Sequence, residues 1–202
     1  MNVFRFDYNR DEYTNQKTEF VRKYIELAKE QKNEYIYIFR RKSATGKTTL
    51  TNILSRKINV PVLRKDDIFD QLSKHETDIA ILNIASYDIL AKQIQTCIDN
   101  QSDVIVDVAL QHIPSLNEFL SKIDFKDSMI YRFFCDCSDD NIWLDRWRAR
   151  LKKPLPNQYF KSIDEIVKHY GRCEIEPLND EIVLDSILPI EKLIDIVMGG
   201  IK

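Results

Sequence analysis

The chain has 202 residues, of which 44% are hydrophobic and 31% are charged, so it can build one hydrophobic core and is too apolar for a disordered protein. Its 30 basic and 32 acidic residues give a formal net charge of -2, which argues against a protein whose main task is to coat nucleic acid. No apolar run approaches the roughly 20 residues of a membrane helix, and the charged N-terminal residues lack the apolar core of a signal peptide. We therefore expect a cytoplasmic protein.

Predicted helices and strands alternate along the chain. Apolar side chains at helical spacing predict an amphipathic helix over residues 14–33. Runs of β-branched and aromatic residues predict buried strands at 35–39, 61–63, 104–108, 129–134 and 182–184. Further helices are predicted at 47–58, at 76–100, from about Pro114, from Ser138 to before Pro154, at 162–170 and at 189–198. This alternation predicts a parallel sheet covered by helices on both faces.

The segment RKSATGKTT, residues 41–49, directly follows the first predicted strand and opens a helix. A phosphate-binding loop has the pattern G-x-x-x-x-G-K-[ST] in this context, where backbone N–H groups and the helix N-terminus surround the phosphates. We predict that Lys47 reaches the β- and γ-phosphates and that the hydroxyl of Thr48 holds Mg2+. The alternative is a polar helix start that binds no ligand. The predicted nucleotide contacts are Ser43, Ala44, Thr45, Gly46, Lys47, Thr48 and Thr49.

Arg41 departs from the phosphate-loop pattern, because it stands where the first glycine belongs. A side chain at this position must fit a turn that usually holds a residue without a Cβ atom. We expect it to strain the loop, weaken nucleotide binding or reshape the entrance to the site.

A pair of carboxylates, Asp66 and Asp67, follows the second predicted strand. Ligands of a doubly wound sheet bind beyond the carboxyl ends of its strands, and a carboxylate there can accept the proton of an attacking hydroxyl. The alternative is that either residue caps the helix that contains Ile68, Phe69 and Leu72. We favour Asp66 as the general base.

Asp107 ends the third predicted strand, VIVDV. An acid that leaves a buried strand near a phosphate loop can order Mg2+, directly or through water, or contact the acceptor. It can equally be an edge carboxylate without a chemical role, and the sequence leaves these possibilities open.

The helix predicted after Ser138 carries a cluster of arginines. At 100° per residue, Arg146 and Arg150 lie on one edge of this helix, beside an apolar face that contains Trp143 and Trp147. Such a cluster can clamp phosphoryl oxygens when a lid closes, and we predict a lid at about 138–160 with Arg146 and Arg150 as catalytic residues. The alternative is a solvated basic face.

Histidines and cysteines give weaker signals. The three histidines are scattered without metal-ligand spacing. Cys135 and Cys137 end an apolar run, which favours reduced thiols in or beside a strand over a redox pair or metal ligands.

The motifs SATGKTT (43–49), KDDIF (65–69), VIVDVAL (104–110) and DRWRAR (145–150) together resemble the P-loop kinases of the nucleoside/nucleotide kinase type, especially the branch with polynucleotide 5′-kinase, the zeta toxins and small ATP-dependent phosphotransferases. The resemblance spans about residues 34–187. It implies a five-stranded parallel sheet in the order 2-3-1-4-5 with a helical lid, and the general-base role of the first acid in a similar motif implies Asp66. The chain departs from this family at Arg41, and at Phe69, where the family often has an arginine.

From the motifs and the resemblance we predict a P-loop kinase domain over 34–202, preceded by a helical extension over 1–33. The expected activity is ATP- and Mg2+-dependent phosphate transfer to a hydroxyl of a small molecule, such as a nucleoside, a sugar nucleotide, an antibiotic or a metabolite. The alternatives are a polynucleotide 5′-hydroxyl kinase, which the acidic composition and Phe69 argue against, and a nucleotide-binding module that Arg41 has impaired. The extension is expected to pack on the core or to mediate a homodimer, and no membrane partner is expected.

Overall fold

The computed structural model describes residues 10–30, 34–170 and 175–201. The chain divides after Asn33 into two units. The first contains helix α1 (Arg10–Glu30), which starts four residues before the predicted helix; the predicted end at 31–33 lies outside the described residues. The rings of Phe20 and Tyr24, one helical turn apart, have centroids 4.3 Å apart.

The second unit contains a five-stranded parallel sheet in the order β2-β3-β1-β4-β5, which confirms the predicted topology. Phe39 of β1 pairs in register with Asp107 of β3 and with Phe133 of β4. The carboxyl ends of these central strands therefore lie side by side. The strands are β1 (Tyr35–Arg40), β2 (Val62–Arg64), β3 (Val104–Asp107), β4 (Met129–Asp136) and β5 (Glu181–Asp185).

The helices of this unit follow the predicted order, with bounds that differ from the prediction by at most three residues. They are α2 (Lys47–Ile58), α3 (Lys65–Leu72), α4 (Ile79–Asp99), α5 (Ile113–Leu120), α6 (Asp140–Leu151), α7 (Ile163–Tyr170) and α8 (Ile190–Gly200). Among the described residues, no helix is both long and apolar enough to cross a bilayer.

The structure differs from the helix start predicted at Ser138 and from the alternative in which Asp66 or Asp67 caps a helix. The α6 helix is capped by Asp139 rather than Ser138, and the Asp139 carboxylate accepts hydrogen bonds from the backbone N–H groups of Asn141 and Ile142. The α3 helix begins already at Lys65, after an extended Arg64 that makes no side-chain cap. Asp66 and Asp67 therefore lie in its first turn, where carboxylates stabilise the helix dipole.

The core has one layer on each face of the sheet, because successive side chains of a strand point to opposite faces. Ile36 and Ile38 of β1 pack in the cluster that includes α4 and α5. Tyr37 and Phe39 pack in the cluster that includes α2 and α8. A third cluster joins Ala44 of the loop to the tryptophans of α6 and to α7, so the predicted lid region has its own small core beside the loop.

Arg40 ends β1 and is almost completely buried. Its guanidinium forms a two-pronged ion pair with Glu181 of β5, whose side chain is also fully buried. It donates further hydrogen bonds to the carbonyl oxygens of Leu110 and Gln111, at 3.3 and 3.4 Å. The strand end that leads into residues 41–46 is thus fixed to β5 and to the segment after β3.

Candidate active site

The loop between β1 and α2 surrounds the ammonium group of Lys47. Lys47 Nζ donates to the carbonyl oxygens of Arg41 and Lys42, at 2.8 and 2.9 Å, and the residue is 8% exposed. Ala44 and Gly46 have positive φ values of 66° and 83°, and Gly46 is the residue before α2. Left-handed residues in a loop directly before a helix are typical of the backbone N–H nests that bind phosphate.

Arg41 adopts a φ of 128°, which an L-residue with a side chain holds only under strain. Its side chain turns towards β4, where it forms an ion pair with Asp136 and lies over the ring of Phe134 at 4.6 Å. Burial and then the neighbouring Arg40 lower the pKa of Arg41. The strain expected from the sequence is present in the backbone, and the guanidinium is held on the neighbouring strand.

Thr48 and Asp107 meet at the start of α2. Thr48 Oγ1 donates to Asp107 Oδ2 at 3.0 Å, and Arg64 Nε lies 3.6 Å from the same carboxylate oxygen. Burial raises the pKa of Asp107, while the charge of Lys47 opposes this effect. A hydroxyl and a carboxylate beside a phosphate loop fit Mg2+, which takes few protein ligands and completes its shell with water and phosphate oxygens. Among the described residues there is no cluster of three or more acidic, His or Cys side chains that could hold a metal ion.

Asp66 lines a cavity of about 120 Å³ that also contacts the phosphate loop through Ser43. Asp67 instead points outward, with 69% of its side chain exposed, near Arg64. The structure thus brings only Asp66 of the acidic pair to the loop. The other lining residues are Lys65, Asn83, Tyr87, Ala109, Gln111, Trp147, Asn157, Tyr159, Phe160, His169 and Tyr170.

The two predicted arginines line the same cavity but make different contacts. Arg146 donates to the carbonyl oxygen of Ala44 at 3.3 Å and to Oγ and O of Ser186 at 2.6 and 2.9 Å. It lines a second cavity, of about 450 Å³, between the loop and the start of α8. Arg150 packs beside the Trp147 ring at 5.6 Å; burial lowers its pKa, and the Asp66 carboxylate is the strongest opposing charge. Arg146 is therefore bound to the segment after β5, while Arg150 lines the same cavity and is influenced by the charge of Asp66.

The lid region, formed by α6, α7 and the loop between them, contacts both sides of the site. Trp143 Nε1 donates to the carbonyl oxygen of Ser43 at 2.9 Å, and the ammonium of Lys42 lies 4.1 Å from the centre of the Trp143 ring. On the other side, Asn157 makes three hydrogen bonds of 2.8 Å to the carboxylate of Asp70 in α3. The predicted lid region therefore contacts both the phosphate loop and α3.

Several residues of the site were not predicted. Lys65 directly follows β2 and precedes the acidic pair. Its place at the carboxyl end of a strand is a signal from which its role in the site could have been predicted. Tyr87 and Asn157 come from α4 and the lid loop, and no sequence motif marks either of them. Of the predicted loop residues, Thr45 donates within the loop to the carbonyl oxygen of Lys42 at 3.1 Å, and Thr49 lines the larger cavity.

No protein-family model and no curated protein matches the chain. Several solved structures match the chain. A candidate kinase of Chloroflexus aurantiacus matches with a TM-score of 0.71 and 16% identity, over 85% of this chain and 100% of that one. The APS kinase of Mycobacterium tuberculosis, solved with AMPPNP and APS, matches with a TM-score of 0.59 and 15% identity, over 84% and 98%. A gluconokinase of Sinorhizobium meliloti matches with a TM-score of 0.58 and 8% identity, over 83% and 90%. The chain therefore has the fold of the P-loop kinases, as its motifs predict.

Proposed function

We propose that the protein is an ATP- and Mg2+-dependent kinase that transfers the γ-phosphate of a nucleoside triphosphate to a hydroxyl of a small molecule. The observation that carries this proposal is the cavity shared by Ser43 of the phosphate loop and the carboxylate of Asp66. A base and a phosphate site on one cavity are the two parts that phosphate transfer to a hydroxyl needs. A cytoplasmic location belongs to the same proposal.

Each predicted residue has a place in this reaction. The acceptor oxygen forms a bond to the γ-phosphorus, the bond from that phosphorus to ADP breaks, and the hydroxyl proton passes to Asp66. Lys47 and Arg150 offset the negative charge of the transferring group, whereas Arg146, bound to Ser186, orients the nucleotide. Thr48 and Asp107, whose side chains are in contact, would hold Mg2+, which would offset part of the negative charge of the triphosphate.

Cavity size supports a small acceptor. A volume of about 120 Å³ is well below the ~300 Å³ at which pockets for drug-sized ligands begin. The named functions of the structural neighbours, a gluconokinase and an APS kinase, also support a small-molecule acceptor.

The test is ADP release from ATP and Mg2+ across a panel of hydroxyl compounds, with Asp66→Asn beside Asp67→Asn as the matched control. If Asp66 is the base, Asp66→Asn lowers the rate by at least about 100-fold with nearly unchanged ATP affinity, while Asp67→Asn keeps the activity. A fully active Asp66→Asn enzyme would reject this assignment.

The strained backbone at Arg41 (φ 128°) favours a second candidate, a nucleotide-binding module without catalysis. Isothermal titration with ATP and Mg2+, beside Arg41→Gly, distinguishes the two. Because the guanidinium lies on β4, the kinase proposal expects binding by the unaltered chain with an affinity within about fivefold of the variant's, a difference of only ~1 kcal/mol. Binding by Arg41→Gly alone would favour the impaired module.

A further inference from the structure

Lys65 is a buried cation that lines the cavity beside Asp66. The residue is 6% exposed, and its ammonium lies over the ring of Phe69 at 4.3 Å and near that of Tyr87 at 5.8 Å. Its one ion pair among the described residues is with Asp66 Oδ1 at 3.7 Å, beyond the usual range of an N–H···O hydrogen bond. Burying an ammonium group is costly unless oxygen atoms accept hydrogen bonds from it. The Lys65 ammonium can therefore donate hydrogen bonds to oxygen atoms of a ligand.

The remaining polar groups of the cavity carry no competing positive charge at neutral pH. Asn83, Gln111 and Asn157 offer amides. Burial raises the pKa of three tyrosine hydroxyls, those of Tyr87, Tyr159 and Tyr170. These hydroxyls therefore stay protonated and can donate hydrogen bonds. Burial, and then the charge of His112, lower the pKa of His169, so its imidazole is neutral. Lys65 and Asp66 are the oppositely charged pair of this cavity; burial lowers the pKa of Lys65, and the Asp66 carboxylate opposes this effect.

We propose that the acceptor is a small hydroxylated anion, whose carboxylate or phosphate group binds Lys65 while its reacting hydroxyl faces Asp66. This inference rests on the proposed kinase function, and it narrows the acceptor from any hydroxyl compound to an anionic one. The aromatic side chains around the cavity pack against the carbon skeleton, and the amides bind further hydroxyls.

The geometry limits the distance between the reacting hydroxyl and the anionic group of this acceptor. Its hydroxyl oxygen and its anionic oxygen each lie about 2.8 Å from their partners, and those partners are 3.7 Å apart. The two ligand oxygens are therefore at most roughly 9 Å apart, the span of a short carbon chain or one sugar ring. A sugar nucleotide or an antibiotic of drug size is too large for a cavity of about 120 Å³, well below the ~300 Å³ at which pockets for drug-sized ligands begin.

The test is isothermal titration of the full chain, at constant ionic strength, with three probes that share a three-carbon skeleton: glycerate, glycerol 3-phosphate and glycerol. We expect at least one anion to bind about tenfold or more tightly than neutral glycerol, a difference of ~1.4 kcal/mol. Whichever anion binds better shows whether the natural group is a carboxylate or a phosphate.

Variants assign the preference to Lys65. Lys65→Met keeps the apolar stem between the rings of Phe69 and Tyr87 and is expected to abolish the preference, whereas Lys65→Arg keeps the charge and retains it. Lys74→Met, which removes an exposed charge just after α3, is the matched control and should bind like the unaltered chain. Equal affinity for all three probes, or a Lys65→Met variant that keeps the preference, overturns the proposal.

The ADP-release assay separates this inference from the kinase proposal. Asp66-dependent phosphorylation of neutral compounds alone would overturn the anionic acceptor and leave the kinase in place. Lys65-dependent anion binding without any phosphate transfer would overturn the kinase and leave the anion site.

Discussion

We expect the buried ion pair between Arg40 and Glu181 to stabilise the end of β1 that leads into the phosphate loop. Both side chains are buried, at 1% and 0% exposure, and the residue after Arg40 begins the loop. Glu181→Gln keeps the shape of the side chain but leaves the guanidinium as an uncompensated buried charge. Removing one partner of a buried pair typically lowers the free energy of unfolding by about 3–5 kcal/mol, a large part of the ~5–15 kcal/mol total of a domain.

Thermal and denaturant unfolding measure this effect. For a domain of this length, a loss of that size lowers the melting temperature by about 6–20 °C. Asp180→Asn is the matched control, because it breaks a neighbouring pair in which Arg132 and Asp180 are 27% and 59% exposed, and such a surface pair contributes about 1 kcal/mol or less. A Glu181→Gln chain as stable as Asp180→Asn would refute the reasoning. The double variant Arg40→Met, Glu181→Leu should recover most of the lost stability, since it removes both charges.

Two further predictions concern the lid and the predicted metal site. Asp70→Ala removes the acceptor of three hydrogen bonds from Asn157, so trypsin should cleave this variant faster after Lys152 or Lys161 than it cleaves Asp67→Ala. Equal cleavage would show that these bonds do not hold the lid region. Burial raises the pKa of Asp107, so the native state binds this proton more tightly than the unfolded chain, and the charged carboxylate lowers stability increasingly as the pH rises through this window. Asp107→Asn should therefore melt at a higher temperature than the unaltered chain at neutral pH without Mg2+, with a smaller difference in acid. A variant that melts lower at neutral pH would contradict the sign.

The sheet could be predicted because its strands are marked locally. Segments such as YIYIF and VIVDV are short, β-branched or aromatic, and bounded by polar residues, and this composition indicates a buried strand whatever the rest of the chain does. The order of the strands came from the resemblance of the motifs to a known family. The Thr48–Asp107 contact follows from that order, because β3 lies next to β1 and both end at the same edge.

The placement of the lid could not be predicted, because it depends on contacts between distant segments. Asp70 and Asn157 are 87 positions apart, and neither belongs to a motif. Arg146 and Arg150 share a helix edge, but only Arg146 donates a hydrogen bond to Ser186, in the segment after β5. The alternative that Asp66 or Asp67 caps α3 does not hold, because Lys65 is already helical. Acids in a first turn and acids at a cap give the same sequence signal.

The contact of Arg41 with β4 has a consequence for how such loops are detected from sequence. Phe134 and Asp136 provide a ring face and a carboxylate for the guanidinium, and this pair of partners accompanies a residue that the usual pattern forbids. A pattern that fixes glycine at the first loop position rejects this chain. A pattern that also accepts arginine there, provided that the strand next to it ends in an aromatic residue and an acid two positions later, includes it. Substitutions at positions 41 and 136 should therefore occur together among related chains.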